Sequence, residues 1–289
     1  MKESTKDYYQ TSITRAINYI ENNINEPLRL DKIANIAHLS SYHFHRLFKA
    51  FTNSTLSAYI TRIRLEKAAI LLKSTTQSIA TIGYQCGFNQ PESFSRAFSS
   101  YFNLSPSDFR DKQKTINENK KKTFIKSNHD HQTMLISSPA IINIKPIPIA
   151  YIRHNGPYEQ VGETWKKLIT WGYKNWKLGW KIKMYGISHD SPEITTEEHI
   201  RYDACIGIRK SFTPKGEVGF KLIEGGTYAV FEHQGPYSEL NSIYDYIYSV
   251  WILEENKRLA HKPAFEQYMN SPQRTKPECL KTKIFIPLN

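Results

Sequence analysis

The stretch His154–Trp171 reads HNGPYEQVGETWKKLITW, and the stretch His233–Trp251 reads HQGPYSELNSIYDYIYSVW. Each opens with His-x-Gly-Pro-Tyr, follows an apolar run and begins an amphipathic one. His233 lies 79 positions after His154, Tyr237 lies 79 after Tyr158, and Trp251 lies 80 after Trp171. That distance is too long for one unit of a solenoid. It describes two halves of one domain. In each copy Gly-Pro ends a strand and starts a helix, with proline presetting φ. The tyrosine that follows leaves the strand end at a defined angle, so Tyr158 and Tyr237 are expected to reach a common groove from opposite sides.

Around these copies the apolar period is close to 2. Ile141-Ile142-Asn143-Ile144, Ile147–Ile152, Gly226–Phe231 and Lys283–Ile286 are β-branched and aromatic runs that read as strands. Helices are expected at roughly Glu159–Trp176 and Ser238–Glu254. The second half of the chain is therefore α+β with an internal duplication.

The first ~110 residues carry a helical period instead. Ile13, Ala16, Ile17 and Ile20 lie on one helical face, and Pro27 interrupts before a new helix near Leu30-Asp31. In LRLDKIANIAHLSSYHFHRLFKAF, the residues Leu30, Ile33, Ala34 and Ala37 form the inner face of a short helix. His38-Leu39-Ser40 makes a turn, and Phe44, Leu47 and Phe48 bury a second helix that Ser40 or Ser41 can cap. Tyr42, His45, Arg46 and Lys49 are left outside. The arrangement returns in SIATIGYQCGFNQPESFSRAFSSYFNLSPSDFR, where Gln90, Glu92, Ser95 and Arg96 point outward and Pro91 suits a first helical turn. Ala58–Leu72 reads as a long helix that holds the two units at a fixed separation. The polar stretch around residues 117–131 has no periodic apolar face and reads as an exposed linker whose first part can extend a helix.

Charge separates the halves further. Residues 1–125 hold 18 Lys and Arg against 10 Asp and Glu, a net +8, while residues 126–289 hold 21 against 17, a net +4. A basic helical half points to a polyanion, nucleic acid before acidic membrane. No apolar run approaches the ~20 residues needed to span a bilayer. The N-terminus MKESTKDYYQ lacks the apolar core of a signal peptide, so a cytoplasmic, nucleoid-associated location is expected. Cys86, Cys205 and Cys279 are scattered and lack metal-ligand spacing, and read as buried or half-buried thiols without disulfides.

The pattern from Leu30, Ile33-Ala34 and Ser40 through Phe44-His45-Arg46-Leu47-Phe48, Arg64-Leu65, Gly87-Phe88 and Phe94-Ser95-Arg96-Ala97-Phe98 to Ser105-Pro106 resembles the AraC/XylS family of bacterial transcription regulators. The likeness covers about residues 10–112. Asn53 and Asn103 stand where that family has glycine, and asparagine also tolerates a left-handed backbone. Gly83 stands where the family prefers alanine. Residues of about 139–288 resemble the GyrI-like effector-binding domain, through the two pentapeptide runs, Trp171, Pro277-Glu278 and Ile284–Leu288; the resemblance implies an antiparallel sheet of two β-α-β-β halves related by a pseudo-twofold axis, with a ligand cleft between them.

These resemblances imply a sequence-specific, DNA-binding transcription regulator, an activator that inserts two helices into successive major-groove segments. Its boundaries fall at 8–112 for the double helix-turn-helix domain, 113–138 for the linker and 139–288 for the effector domain. Tyr42, His45, Arg46, Lys49, Gln90, Glu92, Ser95 and Arg96 are the expected DNA-facing residues. Arg46 has the fork that reads guanine and Lys49 suits a phosphate. Tyr158, Trp171, Tyr237 and Glu278 are the expected walls and carboxylate of a pocket for an apolar or cationic effector. Promoter DNA and RNA polymerase are the implied macromolecular partners; no cofactor, metal, membrane contact or catalytic residue is implied. The alternatives are a C-terminal protein-interaction or sequestration module, or a small hydrolase, although no Ser-His-Asp, metal or phosphate-loop pattern supports the last.

Overall fold

The computed structural model describes residues 5–129, 138–175, 182–209, 211–255, 257–260 and 262–289. The chain divides into two units, Met1–Lys114 with Pro214–Gly219, and Thr115–Thr213 with Phe220–Asn289.

In the first unit α1 (Thr5–Asn22) precedes two helix-turn-helix pairs, α2 (Leu30–Ile36) with α3 (Ser41–Thr52) and α5 (Ile79–Gln85) with α6 (Pro91–Phe102). α4 (Leu56–Ser74) joins the pairs. Local chemistry sets the helix ends. The hydroxyls of Ser40, Thr55 and Ser78 each accept from the backbone N–H three residues on, the bond that satisfies a first-turn donor. Asn53 and Asn103 close α3 and α6 in the left-handed conformation, with φ of 53° and 54°. Ile13, Ala16, Ile20, Ile33, Ala34, Ala37, Phe44 and Phe48 form one core with Leu56, Tyr59, Ile60 and Ile63. Leu30 was expected in this core but is exposed, because it is the first residue of a seven-residue helix and its turn lies outside the packed face.

Gly83 has a steric reason to be glycine. A Cβ there would stand 3.0–3.2 Å from the Phe94 ring and Cβ, so the missing side chain lets α6 seat its fully buried Phe94 against α5. The turn of the second pair is held as closely. Arg64 of α4 donates to the carbonyls of Ile24 and Glu26 at 2.9 and 2.8 Å, and a Cβ at Gly87 (φ +82°) would meet that same Ile24 carbonyl at 2.7 Å. One arginine thus ties the long helix and the second turn to the end of α1.

α7 (Pro106–His129) starts in the first unit and passes into the second at Thr115. The first part of the polar stretch does extend a helix, as its reading allowed, and Lys120 on it bonds Glu193 and Asp245 at 2.6 and 2.7 Å. Residues 130–137, most of what is left of the expected 113–138 linker, lie outside the described residues.

The second unit holds β1 (Ala140–Ile144), β2 (Ile147–Asn155), α8 (Val161–Lys174), β3 (Met184–Ser188), β4 (Arg201–Gly207), β5 (Val218–Ile223, from Phe220 on), β6 (Gly226–Gln234), α9 (Leu240–Tyr246), β7 (Phe265–Tyr268) and β8 (Lys281–Pro287). Its strands form one sheet in the order β1-β6-β8-β7-β3-β4-β2-β5. That order is its own mirror about the β3–β7 seam, so the pseudo-twofold axis passes there, where Gly186 pairs with Glu266. The two β-α-β-β units are β2-α8-β3-β4 and β6-α9-β7-β8. Each has an added leading strand, and that strand pairs with the other half: β1 with β6, and β5 with β2.

The drift of the repeat from 79 to 80 also has a place. α9 continues through a π-helical turn at Ile247–Trp251 into a last turn at Ile252–Glu254, whereas α8 is regular. A π turn accommodates one extra residue. Val161 and Leu240 begin the two helices 79 apart, and Lys174 and Glu254 end them 80 apart. Trp176, expected to end the first helix, lies outside the described residues. One sheet face buries Tyr151, Tyr185, Tyr228, Phe265 and Phe285; the other buries Phe231, Ile284 and Ile286 beneath α9. Cys86 and Cys205 are buried, but Cys279 is exposed, because it lies on a surface 3-10 turn.

Candidate nucleic-acid interface and ligand site

The outer face of α3 carries Tyr42, His45, Arg46 and Lys49, all exposed, as expected from the positions of the buried Phe44 and Phe48 between them. Arg46 is already oriented. Its Nη1 donates to the Tyr42 hydroxyl at 2.6 Å and its guanidinium lies over that ring, one helical turn away. On α6, Gln90, Glu92 and Arg96 are exposed and Ser95 is half-buried. Gln90 is the N-cap residue but makes no side-chain capping bond, and Pro91 follows it at the first helical position. His43, not picked out in the sequence, is also exposed on α3, with Nδ1 3.2 Å from the Ser40 hydroxyl.

In the second unit the two pentapeptide tyrosines do come into one aromatic cluster. Tyr158 meets Tyr202 edge-on at 5.9 Å, Tyr237 meets Tyr268 at 5.2 Å, and the Tyr202 and Tyr268 hydroxyls are 2.9 Å apart. Trp165 of α8 adds its edge to Tyr268 at 5.8 Å. The other two expected residues stand elsewhere. Trp171 packs on Phe212 at 4.9 Å, and Glu278 is exposed on the 3-10 turn Pro277–Cys279.

The carboxylate this cluster holds is Glu266. It is 4% exposed and accepts hydrogen bonds from the hydroxyls of Tyr244, at 3.0 Å, and Tyr268. Among the described residues it forms no ion pair. Burial pushes its carboxyl above the ordinary range, against the pull of the two hydroxyls. The neighbouring phenols are raised too, Tyr237 to about 12, through burial first and then the Glu266 charge. Gly186, directly opposite on β3, makes the arrangement possible, since a Cβ there would run into the Tyr202 and Tyr268 hydroxyls. The sequence signal was faint: at the 80-residue offset Glu266 aligns with Gly186, but FEQY carries no motif.

The pentapeptide geometry is now clear. Gly156 (φ +128°) and Gly235 donate their N–H groups to the carbonyls of Ile200 and Leu280, each at 2.9 Å, so both turns close alike. His154 folds back to the Pro157 carbonyl at 3.0 Å and the Thr164 hydroxyl at 3.3 Å. His233 is buried, makes no hydrogen bond among the described residues and lies 3.5 Å from Glu239.

On the opposite sheet face, cross-strand pairs repeat with their charges exchanged. Arg153 faces Asp203 in the first half, and Glu232 faces Lys283 in the second. Asp203 is fully buried and also bonded to His189, at 2.8 Å, and Lys221. Burial alone would raise its carboxyl, but Arg153, Lys221 and His189 outweigh that and hold it well below the usual range.

Paired helix-turn-helix units with an exposed basic helix face, followed in the chain by a duplicated sheet with a buried aromatic-acidic cluster, define a DNA-binding regulator with a ligand-binding domain. The comparison with known families agrees. The chain belongs to the GyrI-like family: residues 137–289 match the GyrI-like small molecule binding domain, and residues 33–112 match a helix-turn-helix domain of AraC type. It is 37% identical over 105 residues to the transposon Tn10 TetD protein of Escherichia coli, spanning 36% of this chain and 76% of that one. It is 36% identical over 92 residues to the transcriptional regulator Rob of Salmonella typhimurium, spanning 32% of each. A solved AraC-type regulator from Chromobacterium violaceum is 36% identical, covers 36% of this chain and 93% of its own, and superposes with a TM-score of 0.35. This is an AraC-type DNA-binding transcription regulator with a GyrI-like domain. Among the described residues no helix is long and apolar enough to cross a membrane, and no group of three or more His, Cys, Asp or Glu is placed to hold a metal.

Proposed function

We propose that the chain activates transcription at promoter sites, in contact with RNA polymerase in the cytoplasm, and that a lipophilic organic cation bound at Glu266 sets its activity. One observation carries the reading: a carboxylate 4% exposed, without an ion pair among the described residues, ringed by Tyr158, Tyr202, Tyr237, Tyr244 and Tyr268. A buried, unneutralised carboxylate is costly. Tyrosine hydroxyls supply part of the missing solvation, and an incoming cation would supply the rest while the rings face its charge. Tyr158 and Tyr237 keep their role as walls; Glu266 takes the one expected of Glu278, and Trp171 is set aside from the pocket.

On the DNA, Arg46 and Lys49 divide the work between base and phosphate, with Tyr42, His45, Gln90, Glu92, Ser95 and Arg96 along the two recognition helices. No part of this role calls for a catalytic residue. Titrating the protein with tetraphenylphosphonium, followed by tryptophan fluorescence, tests the effector reading. Saturable binding that is lost in Glu266→Gln supports it. No binding to either protein favours a domain that contacts another protein, and turnover of ester substrates would favour a hydrolase.

A further inference from the structure

α7 begins as part of the second helix-turn-helix pair. Phe109 packs on Phe98 and Phe102 of α6, each at 5.4 Å, and Arg110 donates to the Gln77 carbonyl ahead of α5 at 2.6 Å. The same helix continues through Thr115 into the second unit. There Lys120 joins both halves of the duplication: it bonds Glu193, in the segment after β3, at 2.6 Å and Asp245, on α9, at 2.7 Å. The buried Ser249 hydroxyl, in the π turn, donates to Asn117 Oδ1 at 3.2 Å. Burial alone would lower the Lys120 ammonium, but Asp245 and Glu193 outweigh that and hold it above its usual range.

The residues of this segment that meet α7 sit next to those that face Glu266. Tyr244, whose hydroxyl donates to the Glu266 carboxylate at 3.0 Å, immediately precedes Asp245. Tyr248, stacked on Tyr244 with ring centres 6.2 Å apart, immediately precedes Ser249. A hydrogen bond to a charged acceptor is roughly twice as strong as one between neutral groups. Neutralising Glu266 therefore loosens its hold on Tyr244, and with it the position of α9. The π turn that follows is an irregular turn of the kind met at functional sites, and it carries the Ser249 contact to α7.

We propose that α7 is an allosteric rod: neutralisation of the Glu266 carboxylate resets DNA affinity through Tyr244, α9 and the contacts of Lys120 and Asn117. The identity of the neutralising cation rests on the effector reading, whereas the route is a property of the chain. A double-mutant cycle on the full-length protein tests the route without any effector. DNA affinity is read by fluorescence anisotropy on a labelled duplex selected from a random pool. Glu266→Gln, which removes the charge, is expected to change the Kd at least about five-fold. In a Lys120→Met background the same substitution should leave the Kd unchanged. Asp245→Asn breaks that contact from its other end and should silence the response equally, with melting temperature recorded to confirm the fold. Saturating tetraphenylphosphonium should shift the wild type in the same direction as Glu266→Gln and leave Lys120→Met unmoved. A non-additive cycle without any response to tetraphenylphosphonium supports the route and retires the cation at Glu266. A response to Glu266→Gln that is equal with and without Lys120, or absent from the wild type, overturns the proposal.

Discussion

Glu266 and Gly186 occupy equivalent positions in the two halves and face each other across the axis. Two full side chains cannot share that spot, since Tyr202 and Tyr268 already meet over Gly186. Because burial raises the Glu266 carboxyl, the unfolded chain releases this proton first. Stability from the group is therefore complete at low pH and declines as pH rises through the raised value. Melting curves of wild type and Glu266→Gln are expected to diverge with rising pH, the Gln variant becoming relatively more stable. Cation affinity should move the other way, rising over the same interval and becoming pH-independent in Glu266→Gln; parallel, flat curves would rule out this carboxylate. On the DNA side, Arg46→Ala is expected to cost about 1–3 kcal/mol and relax preference at one base pair, while Lys49→Ala weakens all sequences alike. A gel-shift titration on randomised sites separates the two.

At the scale of elements, burial decides what a repeated interaction contributes. Arg153–Asp203 and Glu232–Lys283 are the same cross-strand pair in the two halves, but the Asp203 side chain is 0% exposed and that of Glu232 is 61% exposed. Asp203→Ala leaves the half-buried Arg153 and Lys221 cations facing one another without their carboxylate and is expected to cost about 3 kcal/mol. Glu232→Ala breaks a solvated pair and should cost no more than about 1 kcal/mol. Since the Asp203 carboxyl is depressed, its contribution is present above the ordinary carboxylate range and is lost on acidification. Urea titrations at neutral and acidic pH read both effects. In α5, Gly83→Ala gains about 1 kcal/mol of helix propensity but presses a methyl onto Phe94, a form of overpacking that costs about 1–3 kcal/mol. A lower melting temperature is expected; a higher one would show that Phe94 moves aside freely.

For the whole molecule, separate cores imply separable activities. A fragment of residues 1–122 is expected to fold and bind DNA, with log affinity falling linearly against log salt as counterions leave the phosphates. A fragment of residues 138–289 should bind the cation without DNA. Salt-independent DNA binding, or loss of both activities on separation, would contradict that division.

The helical half was largely open to reading from its residues, because helix pairs are local. Ser40 caps within three residues, Phe44 and Phe48 mark one face, and Asn53 closes the turn by its own backbone preference. The pentapeptide likewise announced the duplication and placed Tyr158 and Tyr237. What stayed hidden depends on contacts between distant residues. The strands Met184–Ser188 and Phe265–Tyr268 are short and lack a β-branched run, yet they form the seam where the halves meet. Glu278 stood out beside a recognisable Pro-Glu, and Glu266 did not, because only pairing across the axis shows that Gly186 clears the space which the Glu266 carboxylate occupies. Local sequence set the helix ends, the turns and the repeat; long-range strand pairing chose which acid is buried, since burial belongs to the packed sheet and not to any one segment.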